Sequence, residues 1–222
     1  MYGCKGEKKQ DKMKLQAMNR KFSVLFAAVS LVMGASMSVA QTKEQVLKPP
    51  PGAHVAIVEF ADLECPMCAR ENPVLMAASA KYHVPWIRHD FPLQFHVWSF
   101  QAAVNARWFD TQGHDLGNEY RNAVFADQIN IETKDDLRQF TQKFAQQHGV
   151  QMPFLIDPQG KLAAAVHADY ALGERLGVHE TPTAWVVTDG TGGAPRWQQV
   201  KNFDNLYTML DQAVAETSHG RR

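Results

Sequence analysis

Two cysteines, Cys65 and Cys68, lie three positions apart, directly after a run of β-branched and apolar residues at positions 54–60. This run has the length and composition of a strand buried inside a sheet. The residues at 67–81 favour a helix, and Pro66 suits a helix start because the amide proton that proline lacks has no partner there. The sequence therefore predicts a buried strand that leads straight into a helix, with the cysteine pair at the N-terminus of that helix.

The order of the remaining elements predicts an α/β domain. After the first strand and helix come a second strand, a helical block at about 92–176, two further strands and a closing helix. Such an order gives a mixed central sheet flanked by helices, with the helical block inserted as a lid between two halves. The later predicted strands are 84–91, 183–187 and 196–200, and the later predicted helices are 98–111, 115–126, 133–149, 160–176 and 202–217.

The first 40 residues have the layout of a leader. Asn19-Arg20-Lys21 precede an apolar stretch at 22–37, and Ser38-Val39-Ala40 follow it. This is the pattern of a secretory signal peptide with cleavage after Ala40. The alternative is an uncleaved membrane anchor, since the stretch is only slightly short of a bilayer span. Both interpretations predict a periplasmic or otherwise extracytoplasmic domain, membrane-anchored if the leader is uncleaved.

Behind the leader, we expect a linker at 41–53 that contains three consecutive prolines, a single domain at 54–217 and a short tail at 218–222. Residues 41–222 contain 16 basic and 21 acidic residues, so this part of the chain is mildly acidic. A nucleic-acid-binding protein would instead present a clustered basic face. The charge pattern therefore excludes nucleic acid as a partner.

Cys65 and Cys68 are the two cysteines outside the leader, which itself holds Cys4. A secreted protein held together by disulfides normally has more of them, spread along the sequence. A zinc site needs four ligands, and no second Cys-x-x-Cys is present. A covalent haem site needs histidine after the second cysteine, where Ala69 stands. We predict no metal and no cofactor; an inert structural disulfide remains as the alternative to a redox pair.

A cysteine attacks as the thiolate, so a reactive cysteine needs a pKa below its ordinary value. At the start of a helix, Cys65 would face the positive end of the helix dipole and unpaired backbone amides, both of which favour a negative sulfur. Cys68, one turn further on, would lie close enough to form a disulfide with it. The pattern is therefore typical of a thiol-disulfide exchange site.

Four motifs together resemble the DsbA-like branch of the thioredoxin superfamily, over about residues 53–217. This resemblance implies a thioredoxin-like fold, and the helical block is similar to the insertion that distinguishes the branch from plain thioredoxin. The motifs are Val58-Glu59-Phe60, Cys65-Pro66-Met67-Cys68, Pro73 and Glu180-Thr181-Pro182-Thr183.

The resemblance implies roles for individual residues. Cys65 would be the exposed nucleophile and Cys68 the buried resolving thiol. Pro182 would be a cis-proline that faces the active site, and with Thr181 it would present backbone for pairing with substrate. An ordinary trans proline at the start of a strand is the alternative for Pro182. Glu59 would be a buried acid that accepts or relays the proton of Cys68; its alternative is a glutamate that points into solvent.

The two residues between the cysteines, Pro66 and Met67, are expected to border bound substrate and to tune the stability of the thiolate. Met67 replaces the histidine of the best-known DsbA enzymes, so the oxidising power is expected to be lower and the direction of electron flow stays open. His179 is a further candidate for the border of the site.

These features predict an exported protein-disulfide oxidoreductase. As a dithiol oxidase, it would give the Cys65–Cys68 disulfide to unfolded or newly exported proteins and be reoxidised by a membrane-embedded, quinone-linked partner. The first alternative is a reductase or isomerase in the same compartment. The second is a peptide-binding chaperone module, in which the cysteines are secondary.

Overall fold

A computed structural model describes residues 43–113, 115–190 and 194–219, which all belong to one compact unit. The predicted leader and its cleavage site lie outside the described residues, as do positions 41–42 of the predicted linker and 220–222 of the predicted tail. None of the helices in the described part of the chain is long and apolar enough to cross a membrane.

A four-stranded mixed sheet forms the centre of the unit, as the sequence predicts. Its strands are β1 (Val55–Ala61), β2 (Trp86–Asp90), β3 (Thr183–Thr188) and β4 (Arg196–Gln199), in the order β2-β1-β3-β4. Strand β1 is parallel to β2 and antiparallel to β3, and β3 is antiparallel to β4. The apolar run therefore forms a central strand, which places its last residues in the middle of the domain.

The helices agree closely with the predicted order. Four α-helices of the described residues lie between β2 and β3, where the helical block is expected. In chain order the helices are α1 (Lys43–Val46), α2 (Pro66–Tyr82), α3 (Ser99–Asp110), α4 (Leu116–Asp127), α5 (Lys134–Gln147), α6 (Lys161–Leu176) and α7 (Leu206–His219), with short 3-10 helices at Gln128–Asn130 and Phe203–Asn205.

Local signals explain several helix ends. Pro66 is the first residue of α2, where a missing amide proton has no cost. Thr133 caps α5, because its hydroxyl accepts from the Asp136 amide while the Asp136 side chain accepts from the Thr133 amide. Helix α6 ends at Gly177, whose φ of 81° is a left-handed conformation that favours glycine.

Both faces of the sheet are covered, and the helical block has a core of its own. On one face Ile57 and Val186 pack with side chains of α2 and α7; on the other, Val58 and Phe60 pack with Phe91 and with the end of α6. The core of the helical block is rich in aromatic rings, and Cys65 and Cys68 belong to it. The cluster also includes Leu63, Trp98, Phe109, Tyr120 and Phe144. The cysteine pair therefore lies where the sheet and the helical block meet.

The segment expected as a linker is partly folded. Helix α1 occupies Lys43–Val46, and Leu47 is only 1% exposed because it packs in the same core cluster as Ala56 and Val58. The packed unit thus begins about ten residues before the predicted start at position 54. The second strand also differs, since it begins at Trp86 instead of 84. Pro85 has no amide proton, and the Val84 amide donates to Ser79.

Candidate active site

The cysteine pair lies at the N-terminus of α2. Cys65 is the N-cap residue, with an extended backbone, and Cys68 follows one turn into the helix. Cys65 is 6% exposed, whereas Cys68 is fully buried, and both are free thiols. Cys65 is thus the sulfur closer to solvent, although it is more buried than the sequence-based expectation of an exposed nucleophile.

The surroundings of Cys65 favour its negative form. The pKa of Cys65 is lowered from its ordinary value of 9.0 to about 5, chiefly by a hydrogen bond from the Cys68 thiol. Burial opposes this shift, while Thr181 and the backbone amides of Cys68 and Met67 add to it. Cys65 is therefore largely a thiolate at neutral pH.

Thr181 contacts the same sulfur from the loop before β3. The protonated Cys65 thiol donates to the Thr181 carbonyl oxygen at 3.3 Å. The Thr181 hydroxyl is buried and has no hydrogen-bond partner among the described residues. Thr181 favours the ionised sulfur and so contributes to the lowered pKa of Cys65.

The surroundings of Cys68 have the opposite effect and favour its protonated form. Burial, the hydrogen bond to Cys65 and the negative charge of Glu59 raise its pKa well above the ordinary value. The Asp62 amide, which donates to the Cys68 sulfur at 3.5 Å, acts in the other direction and is outweighed. Cys68 therefore remains protonated at neutral pH, and its thiol proton is available to stabilise the thiolate of Cys65.

Glu59 is 1% exposed on the central strand β1, so the alternative of a solvent-facing glutamate is wrong. The Trp86 indole donates to its carboxylate at 3.0 Å, and the nearest guanidinium nitrogen of Arg88 lies 3.8 Å away. Burial raises the pKa of Glu59, although Arg88 and Trp86 act against the increase. A carboxyl group with a raised pKa can take up a proton closer to neutral pH than an exposed one.

Arg88 is a further residue of the site, and the sequence motifs do not point to it. It lies on β2 directly beside Glu59 in the register of the sheet, and burial lowers its pKa to about 10. Asn72 and Asn122 hold its guanidinium at 2.8 and 2.9 Å, and the Trp86 ring lies 4.1 Å from it. A charged residue in the predicted strand 84–91 was the available signal, because a buried charge usually has a partner.

The Thr181–Pro182 peptide bond is cis, as expected, so the trans alternative is wrong. Pro182 and Met67 line one groove of about 890 Å³, together with Thr181, Glu71, Lys201 and Phe203. Met67 is 44% exposed, and Pro66 is also exposed. The structure thus places Met67, Thr181 and Pro182 beside the cysteine pair. His179 is exposed and does not line this groove.

In the described part of the chain, no three histidine, cysteine or acidic side chains lie close enough to hold a metal ion. The site brings together two thiols whose pKa values are shifted in opposite directions, the buried carboxyl group of Glu59 and the hydroxyl of Thr181. Their chemistry is that of thiol-disulfide exchange, in which one sulfur attacks and the other resolves the mixed disulfide.

Comparison with known families agrees with this chemistry. The model of a family described as Thioredoxin matches residues 43–203. The match covers most of the chain, so the chain belongs to this thioredoxin family. The predicted fold class is thereby confirmed.

Solved structures share the fold at low sequence identity. Alpha-DsbA1 of Wolbachia pipientis is 18% identical with a TM-score of 0.61, over 79% of this chain and 100% of that one. A periplasmic thioredoxin-like protein from Salmonella enterica serovar Typhimurium is 18% identical with a TM-score of 0.53, over 75% and 88%. ScsC of Proteus mirabilis, in a transitional conformation, is 14% identical with a TM-score of 0.56, over 94% and 97%. The search of curated proteins gave no match.

Proposed function

We propose that the protein is a dithiol oxidase, which gives the Cys65–Cys68 disulfide to substrate proteins that carry reduced cysteines. The observation that carries the proposal is the low pKa of Cys65, about 5, beside the raised pKa of Cys68. A stable thiolate stabilises the reduced protein relative to its disulfide form. The disulfide is therefore given up readily, which is the property of an oxidant.

The reaction begins when a substrate thiolate attacks the Cys65 sulfur of the disulfide. The Cys65–Cys68 bond breaks, a bond between the substrate sulfur and Cys65 forms, and Cys68 leaves as a thiolate that takes up a proton. A second substrate thiolate then attacks the first substrate sulfur and releases Cys65. The substrate loses two electrons and gains a disulfide, and the enzyme is left as a dithiol. Release is favoured because a sulfur of low pKa is a good leaving group.

Glu59 is proposed as the group that exchanges a proton with Cys68. It is buried on the strand behind the pair, its pKa is raised, and its charge contributes to the raised pKa of Cys68. When Cys68 leaves the disulfide as a buried thiolate, a protonated Glu59 can return a proton to it, directly or through water. The buried sulfur then does not retain an unpaired charge.

Substrate is proposed to lie in the groove beside Pro182. Thr181 contacts the Cys65 sulfur through its backbone carbonyl, and Met67 borders the groove from the side of α2. A cysteine-containing segment in the groove would meet Cys65 at its edge. Pro66 and Met67 would contact the residues that flank the substrate cysteine.

The proposed compartment is the periplasm or another extracytoplasmic space. The predicted leader supports it, as does the fold shared with a periplasmic thioredoxin-like protein from Salmonella enterica. Disulfides form and persist in such compartments. The proposed partners are unfolded or newly exported proteins and, for reoxidation, a membrane-embedded protein linked to quinones.

Met67 favours a second candidate, a reductase or isomerase, because methionine adds no positive charge beside the thiolate. The reduction potential decides between the two, measured by equilibration of the dithiol with glutathione at defined ratios. A potential near about −120 mV supports the oxidase, and one near about −270 mV overturns it in favour of a reductase.

The chaperone alternative is tested with a reduced, unfolded protein as substrate. The oxidase should form disulfides in it at a rate that Cys65→Ser abolishes. Asp135→Asn, a change at an exposed carboxylate on α5, serves as the matched control and should keep the full rate. If Cys65→Ser still prevents aggregation as well as the unaltered protein, and neither protein oxidises the substrate, the proposed function is wrong.

A further inference from the structure

Glu64 lies in the turn at 62–65, which leads into α2, and its side chain is hydrogen-bonded to the start of α3. One carboxylate oxygen of Glu64 accepts from the Val97 amide at 3.0 Å. The other accepts from the amides of Trp98 and Ser99 at 2.6 and 2.8 Å. The first amides of a helix have no partner within it and carry its positive partial charge. Glu64 therefore provides hydrogen-bond acceptors for the amides at the beginning of α3 from the turn that precedes Cys65.

Asp62 makes a second connection two residues earlier. Its carboxylate is buried, with 1% of the residue exposed, and one oxygen accepts from the Glu64 amide at 2.7 Å and from the Ser99 hydroxyl. The other oxygen accepts from the Leu93 amide at 2.6 Å and from the ring Nδ1 of His96 at 2.7 Å. Asp62 thus joins the turn to the segment between β2 and α3.

Gln128 makes a third connection from the far end of α4. Its side-chain amide donates to the carbonyl oxygens of Leu63 and Cys65 at 2.8 and 3.2 Å. It is part of the 3-10 helix Gln128–Asn130, which lies in the helical block and outside the sheet layer. The turn is therefore held at residues 62–65 by two separate parts of the helical block.

The same turn contacts the Cys68 sulfur and the backbone of Cys65. The Asp62 amide donates to the Cys68 sulfur at 3.5 Å, and the Cys65 amide donates to the Asp62 carbonyl oxygen at 3.1 Å. A displacement of the turn would change the position of each sulfur relative to its hydrogen-bond donors. We propose that Asp62, Glu64 and Gln128 are positioning residues, through which the helical block fixes the geometry of the Cys65–Cys68 pair; this rests on the proposed thiol-disulfide function.

Charge alone predicts the opposite effect for the two acids. By Coulomb's law, a carboxylate near Cys65 repels the thiolate and raises the pKa of Cys65. Removal of the carboxylate should therefore lower this pKa. If Asp62 and Glu64 act by holding the turn, their removal should instead raise the pKa, because the sulfur loses its alignment with the donors at the start of α2. The sign of the shift therefore separates positioning from a simple charge effect.

The test is a pH titration of the ultraviolet absorbance of the thiolate in the reduced protein and in Asp62→Asn, Glu64→Gln and Gln128→Ala. Each variant should raise the pKa of Cys65, by about one pH unit for the two acids, a tenfold change in the ionisation constant. Gln128 carries no charge, so any rise in that variant comes from position. An unchanged or lowered pKa in all three would overturn the proposal.

Asp136→Asn provides the matched control, since it removes a carboxylate that caps α5 in the same helical block. It should lower the melting temperature and leave the pKa of Cys65 unchanged. If the pKa rises as much as in the three variants, their effect comes from a general destabilisation of the helical block, and the proposal is wrong.

If Asp62→Asn does not fold, Ser99→Ala replaces it, because this change removes one hydrogen bond to Asp62 and keeps the charge. It should raise the pKa of Cys65 by a smaller amount. The titration needs no substrate, so a potential typical of a reductase would refute the oxidase proposal and leave this inference standing.

Discussion

The stability of the reduced protein, relative to its disulfide form, should rise steeply between pH 5 and pH 8. The pKa of Cys65 is about 5 in the folded protein and returns to its ordinary value of 9.0 on unfolding. A group whose pKa is lowered by folding adds stability above its folded pKa and loses it as the pH falls through that value. At pH 7, two pH units above the folded pKa, the gain amounts to about 3 kcal/mol in the free energy of unfolding.

The comparison with the disulfide form isolates this contribution. Carboxyl groups and histidines titrate in both forms and largely cancel in the difference. Cys68 adds nothing below pH 8, because its pKa is raised above the ordinary value in the folded protein. The same free energy makes the disulfide more oxidising by about 60 mV at pH 7 than an otherwise identical pair with ordinary thiols.

The measurement is chemical denaturation of the reduced and oxidised proteins at half-unit steps from pH 4.5 to pH 8. The difference in unfolding free energy should be nearly flat below pH 5 and then increase by about 1.4 kcal/mol per pH unit. Reduced Cys65→Ser is the matched control, because serine does not ionise in this range. A difference that stays flat up to pH 8 would show that Cys65 ionises like an ordinary cysteine and would contradict its lowered pKa.

Three further changes test other parts of the structure by chemical denaturation. Glu59→Gln should destabilise the protein by about 3 kcal/mol, since it leaves the buried Arg88 without its counter-charge; an effect below 1 kcal/mol would contradict this pairing. Gly173→Ala should cost about 2 kcal/mol, because a Cβ there would lie 2.6 Å from the Phe91 ring, and unchanged stability would contradict that close packing. Thr133→Ala should cost about 1 kcal/mol through loss of a helix cap and leave the Cys65 titration unaltered, which the thiolate absorbance can check.

The fold and the sulfur chemistry could be predicted because their signals are local. A β-branched run followed by a helix-favouring segment with proline at its start places Cys65 at a helix N-terminus without any knowledge of the tertiary structure. The helical block follows from helix patterns and caps between two strands. The contact of Thr181 with Cys65 joins residues 116 apart in sequence and was available from the family resemblance alone.

The rest depends on tertiary contacts whose partners no local signal identifies. Arg88 becomes the neighbour of Glu59 through the register between two parallel strands, which the sequence pattern does not determine. Asp62 and Glu64 have the composition of an exposed polar turn, but Asp62 is buried and Glu64 is partly buried because α3 begins beside them. The folded character of the segment at 43–47 was missed because three prolines after it suggested an extended linker.

The pKa values of the two thiols differ although the residues lie only one helical turn apart. The difference arises because Cys68 is buried more deeply than Cys65. Cys65 is at the helix end, where backbone amides and the thiol of its partner donate to it, so the negative form is stabilised. Cys68 lies inside the core with the carboxyl group of Glu59 nearby, so the negative form is disfavoured. Because the second thiol keeps its proton, it can donate to the first, and the low pKa of one sulfur depends on the high pKa of the other. A change that exposed Cys68 to water would therefore weaken the thiolate of Cys65 as well, even if Cys65 itself did not move.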